Sequence, residues 1–164
     1  MLFVNHKKDF LFSDWSALTK AYPNIKTKTI LTAGLIIIKE HKLLLAFSRN
    51  KKAWYLPGGK ADEGETSLQA IQREIQEELN IQLNTQMLTY HGHITAPAYG
   101  EENVLMEQDC FLYPATEEIT PNGEIEAVDY FSLATNKKEP SQVVGVLQVF
   151  EMLLSSGLIV SEEF

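Results

Sequence analysis

Three glutamates, Glu74, Glu77 and Glu78, fall within five positions of one another in the stretch REIQEELN. On a helix of 3.6 residues per turn, spacings of three and four place them on one arc. Like charges so placed cost a helix roughly 0.2–0.5 kcal/mol per pair. The arrangement becomes useful when a divalent cation sits among the carboxylates. Hard ions such as Mg²⁺ take oxygen ligands, keep several waters and are bound by a few carboxylates together with substrate phosphates. Such an ion acidifies a bound water and neutralises charge on phosphoryl oxygens. The competing reading is a solvated acidic face. The preceding residues favour the first: Gly58-Gly59 offers backbone that a ligand can approach closely, and Glu65 and Arg73 are spaced so that an ion pair between them could pin loop to helix.

The carboxylates need a helix, and the local signals for one are strong. Thr66 and Gln69 have capping-box spacing, and Leu68, Ile71, Ile75 and Leu79 recur at three- and four-residue steps. These four fall within an arc of roughly 80°, predicting one side held to a core over Thr66–Leu79. Asn80 then supplies the left-handed stop. Upstream, Thr29–Ile38 and Leu43–Phe47 flank Lys39–Lys42 as a strand–turn–strand hairpin, and AWYLPGG reads as a short strand stopped by Pro57 and the glycine pair. Met87–Thr95, Leu105–Tyr113 and Ala127–Phe131 read as strands. Ser141–Ser156 reads as a helix with a narrow polar stripe of Gln148, Glu151 and Ser155, so most of its girth needs cover from the body of the protein or a second subunit. Ser13–Ala21 reads as a short helix ending before Pro23. The mixture lacks strict βαβ alternation, predicting an α+β fold.

Bulk properties narrow the function classes. The 164 residues are 45% apolar and 22% charged, suiting one domain, 1–164, with residues 1–27 as an N-terminal extension. The net charge is −8, which repels nucleic acid polymers and anionic membranes and leaves a small anionic substrate dependent on a bridging cation. Cys110 is the only cysteine, excluding an intrachain disulfide and a cysteine-rich zinc site. The N-terminal stretch lacks the apolar run of a signal peptide, and Val143–Val160 is interrupted by polar residues. The expectation is a cytoplasmic protein.

The stretch Gly59–Ile81 resembles the Nudix box, G-x5-E-x7-R-E-U-x-E-E-x-G-U with U aliphatic. Gly59, Glu65, Arg73, Glu74, Ile75, Glu77, Glu78 and Ile81 match in register, with Asn80 where the family has glycine. The lead-in WYLPGGK is similar too. The resemblance implies a Nudix-like α/β/α sandwich with a central mixed β-sheet. It also implies Mg²⁺- or Mn²⁺-dependent hydrolysis of a nucleoside diphosphate linked to another group. By position, Glu74, Glu77 and Glu78 correspond to metal ligands, with the Gly58 or Gly59 carbonyl as a further one, and Glu65 and Arg73 to the structural pair. Glu74 or Glu124 is the candidate base; for Glu124 and Glu126 the alternative is an exposed loop edge. Arg49, Lys51, Lys52 and Lys60 are candidate phosphate contacts, and Trp54, Tyr55 and Tyr99 candidate base-stacking residues. His91 and His93 fall short of a metal site and read as structural.

Length and a single box favour a nucleoside triphosphate as substrate, releasing pyrophosphate and a monophosphate. Pro97 and Tyr99 stand where two other subfamilies carry markers, so ADP-ribose, nucleotide-sugar and dinucleoside polyphosphate substrates stay open. So do a non-catalytic nucleotide sensor and a plain interaction domain. The C-terminal helix leaves a homodimer open.

Overall fold

The computed structural model describes residues 27–161; the helix expected at Ser13–Ala21 lies outside them. In chain order the elements are β1 (Lys28–Ile36), β2 (Ile38–Lys39), β3 (Lys42–Ser48), β4 (Ala53–Tyr55), β5 (Gly58–Lys60), α1 (Ser67–Leu79), a 3₁₀ turn (Thr85–Met87), β6 (Thr89–Pro97), β7 (Val104–Leu112), β8 (Ile125–Phe131), α2 (Leu133–Asn136) and α3 (Val144–Ser155). The fold is α+β, as expected.

Two sheets share the strands. One is mixed, in the order β5-β1-β7-β6, with β1 parallel to β7 and the outer pairs antiparallel. The other is antiparallel and centred on β3, which pairs with β8 along its length and with β2 and β4 at opposite ends. The predicted hairpin therefore holds only for β2–β3. Its turn residues Glu40 and His41 both have positive φ, 51° and 61°, as a two-residue turn that follows strand twist requires. The longer strand before it breaks at Ile37 and belongs to the other sheet. AWYLPGG departs from expectation in the same way. The chain crosses between sheets at Leu56-Pro57, so the glycine pair does not stop a strand but begins one.

Side-chain alternation sorts the strands' apolar residues into two cores. Ile36, Leu43 and Leu45 join Val146, Val149, Phe150 and Leu153 of α3 on one side. Leu35, Ile37 and Leu44 join Ile71, Ile75 and Leu79 of α1 on the other. This is the layered sandwich expected. Leu35, Ile36, Leu43, Leu44 and Leu45 are all fully buried, each contributing roughly 1.5–3 kcal/mol. Gln148 departs from the predicted polar stripe: it is buried and donates from Nε2 to the Thr95 carbonyl at 2.8 Å, tying α3 to β6. Much of the apolar girth of α3 is thus covered by its own chain. His93 sits between Glu107 and Asp109, its Nδ1 2.8 Å from Asp109 Oδ1, and pins β6 to β7. Cys110 is free and buried.

Candidate active site

Helix α1 forms as its sequence dictates. Thr66 caps it, accepting from the Gln69 N–H, while Gln69 accepts from the Thr66 N–H; Asn80 closes it at φ 55°, ψ 40°. Its contact face differs from the apolar arc. Leu68 is 39% exposed, whereas Ala70 is fully buried. The helix is rolled toward its carboxylate flank, because Ala70 is small and the β5 strand beneath consists of Gly58, Gly59 and Lys60. On the helical projection Glu78 lies roughly 20° from Ile71, and Glu77 lies farthest from the apolar arc. Burial follows that geometry: Glu78 is drawn inward, while the Glu77 side chain is 59% exposed.

The glycine pair lets the backbone reach these carboxylates. Gly58 has φ 134°, and a Cβ on it would lie 2.0 Å from the Ala33 carbonyl oxygen. Its N–H donates to Glu78 Oε1 at 2.9 Å. A Cβ on Gly59 would stand 2.6 Å from Glu74 Cδ, so glycine alone leaves that carboxylate its place.

Arg73 ties the loop to the helix. Its Nε and Nη2 donate to Glu65 Oε2 and Oε1 at 2.9 and 2.8 Å, Nη2 also to the Lys60 carbonyl, and Nη1 to Glu74 Oε1 at 3.0 Å. Glu65 closes the loop further by accepting the Asp62 N–H. The two guanidinium bonds hold the Glu65 carboxyl down at about 2. Asp62 and Glu77 lie at the margin of the same guanidinium, 3.4 and 3.5 Å away.

Glu124 arrives from a distant loop hung on the end of α1. The Thr120 and Asn122 N–H groups donate to the Leu79 and Glu78 carbonyls, which a helix end leaves without internal partners. Glu124 Oε1 accepts the Ser48 hydroxyl at 2.6 Å. Arg49 steadies the loop, donating from Nη1 to the Gly123 carbonyl and from its N–H to the Glu124 carbonyl.

Between these elements lies a cleft of about 280 Å³. Glu74, Glu78 and Glu124 line it together with Gly58, Gly59, Lys51, Lys60, Tyr55 and Tyr99. Several residues singled out in the sequence lie elsewhere. Trp54 packs on Phe47 and Phe131, with ring centroids 5.2 and 4.7 Å away. Lys52 is exposed in the β3–β4 turn, Arg49 is occupied with the Gly123 loop, and Glu77 and Glu126 do not line the cleft. Several lining residues escaped the sequence reading, Thr32, Ser48 and Glu101 among them, and with them Gln108 on β7. The signal for it was an amide on the inward-facing side of VLMEQDCFL, between Met106 and Cys110.

The electrostatics of the acidic wall match a cation binder. Burial pushes the Glu78 carboxyl up to about 8, against the Gly58 hydrogen bond, and Glu74, Glu124 and Glu77 add to the rise. Glu74 is raised by burial too, with Arg73 opposing. Among the described residues, no three acidic, histidine or cysteine side chains already converge at metal-holding distance. The donor set nevertheless fits a hard ion: carboxylate oxygens in one cleft, destabilised by burial and mutual repulsion.

The fold is that of solved MutT and Nudix hydrolases. The MutT NUDIX hydrolase from Burkholderia pseudomallei superposes with a TM-score of 0.62 at 23% identity, over 77% of this chain and 98% of that one. The MutT protein from Methanosarcina mazei Go1 gives 0.65 at 18%, over 80% and 96%. A bifunctional NMN adenylyltransferase/ADP ribose pyrophosphatase from Francisella tularensis, complexed with AMP and Mn ion, gives 0.60 at 22%, over 88% and 47%. The search of curated proteins returned no match. The NUDIX domain family model matches residues 28–148, and the chain belongs to that family. Among the described residues, no helix is long and apolar enough to cross a membrane.

Proposed function

We propose that the chain, acting as one Nudix unit, hydrolyses the pyrophosphate linkage of a nucleoside di- or triphosphate derivative, foremost a nucleoside triphosphate, with Mg²⁺ or Mn²⁺ in the cytoplasm. The observation that carries the reading is the shared cleft: carboxylates from α1 and from the Glu124 loop on one wall, with Lys51 and Lys60 at the same opening. Glu74 and Glu78 would hold the ion, with Glu77 outermost and the Gly58 and Gly59 carbonyls adjacent. When bound, the ion supplies charge neutralisation on phosphoryl oxygens and a more acidic water.

The remaining work falls to the chain's own groups. Arg73 and Glu65 fix the loop and orient Glu74. Lys51 and Lys60 attract the phosphates. Of the two candidate bases, Glu124 is favoured, because Arg73 neutralises Glu74 whereas Glu124 bonds only the Ser48 hydroxyl among the described side chains. A panel of nucleoside di- and triphosphates, dinucleoside polyphosphates and nucleotide sugars, assayed with each metal and with chelator, tests the proposal. ADP-ribose is the second reading, supported by the likeness to the ADP ribose pyrophosphatase chain. A non-catalytic sensor would bind members of the panel without turnover.

A further inference from the structure

Gln108 is 7% exposed, yet its side-chain amide lacks a proper partner among the described residues. Among the described residues its side chain has one hydrogen-bond contact, from the Cys110 thiol, a weak donor, to Oε1 at 3.9 Å. Thr32, its neighbour across β1–β7, gives its hydroxyl to the Glu107 carbonyl instead. Buried amides are nearly always hydrogen-bonded, so one left open on the floor of a cleft points to a ligand that completes it.

The amide is also held in place. A Cβ on Gly34 would lie 2.9 Å from Gln108 Cδ and 2.5 Å from Leu56 Cδ2, so the bare glycine is the seat on which both side chains rest. Ile30 and Met106 flank the amide on the same sheet face, and Tyr99 stands edge-on to Tyr55 at 6.1 Å. The lining of the cleft therefore offers two kinds of chemistry. Its carboxylates and lysines suit a metal-bound polyphosphate; Ile30 and Met106 beside one fixed amide suit a flat heteroaromatic ring.

We propose that Gln108 determines base specificity, donating from Nε2 and accepting at Oε1 along the edge of a nucleobase seated over Ile30 and Met106. The inference rests on the cleft being the nucleotide site. A side-chain amide matches any base edge that presents a donor beside an acceptor, and rejects one from which a partner has been removed. Gln108 touches the base and not the reacting atoms, so it governs KM and selectivity rather than kcat.

The test uses the full chain with its best nucleoside triphosphate, and with that nucleotide's analogue lacking the base's exocyclic amino or carbonyl group. Gln108→Met, close in shape but apolar at its tip, is expected to raise KM at least about tenfold and to abolish discrimination against the analogue, with kcat within about threefold. Gln108→Glu, which is acceptor-only, is expected to favour amino-bearing bases over carbonyl-bearing ones. Melting temperature checks folding, and calorimetric binding of a non-hydrolysable triphosphate gives a readout apart from turnover. Unchanged KM and selectivity in Gln108→Met overturn this inference while leaving the hydrolase reading intact. A wild-type chain that neither binds nor hydrolyses any nucleotide overturns both.

Discussion

The Gly58 N–H donates to Glu78 Oε1 across 2.9 Å, fastening a strand of the mixed sheet to the helix that carries the acidic wall. The bond exists because Gly58 adopts φ 134°, a conformation that L side chains rarely adopt. It holds the carboxylate half-buried in the lining of the cleft, beside Glu74 and Glu124.

The two glycines should fail differently. Gly58→Ala meets backbone at 2.0 Å and a positive φ, so a substantial fall in melting temperature or loss of soluble protein is expected. Gly59→Ala meets the Glu74 carboxylate first, a side-chain end that can swing aside. Its melting temperature should fall by a few degrees at most, about 1 kcal/mol, while turnover drops at least about tenfold. Thermal melts and initial rates on both variants check this; equal effects on stability would count against the geometry.

Glu78→Gln is expected to cut turnover at least about a hundredfold while the fold survives. Glu77→Gln should cost less, since Glu77 sits outside the cleft lining beside Arg73. Rates on the two purified variants, at saturating Mg²⁺, decide the order.

The raised Glu78 carboxyl fixes the sign of a pH effect. Its folded value of about 8 lies above the ordinary carboxylate value, so its contribution to stability without metal is complete below about 4.5 and is lost as pH rises through about 8. Added Mg²⁺ must displace that proton, so the melting-temperature gain should be larger at pH 8.5 than at pH 6. In Glu78→Gln the difference should flatten.

Arg73→Lys removes the two-pronged bond to Glu65, which a single ammonium cannot reproduce. The loop should loosen, with a melting-temperature drop of a few degrees, about 1 kcal/mol, and a loss of activity larger than that loss of stability implies. Protease sensitivity of the Lys60–Thr66 loop, compared between variant and parent, is the direct readout.

How much could be read beforehand depended on whether a signal was local. Helix α1 was legible because Thr66, Gln69 and Asn80 act within a few residues of themselves. Its roll was not, because Ala70 is buried and Leu68 exposed only once β5 lies beneath. The split of AWYLPGG between two sheets escaped for a similar reason: Pro57 and Gly58 look like a stop, and the strand that Gly58 joins is set by Ala33 and Gly34, far away in sequence. Glu124 came to attention through family likeness alone; what seats it is the pair of bonds from Thr120 and Asn122 to the end of α1. Trp54 and Tyr55 show the limit of composition, since alternation along β4 sends only Tyr55 to the cleft lining.

The most direct measurement is phosphate or pyrophosphate release from the nucleotide panel by the purified chain, with Mg²⁺, with Mn²⁺ and with chelator, beside Glu78→Gln. Turnover of at least one phosphoanhydride that needs the ion and falls at least about a hundredfold in the variant is the predicted result. Turnover that survives chelator, or a folded Glu78→Gln that keeps pace with the parent, would contradict it.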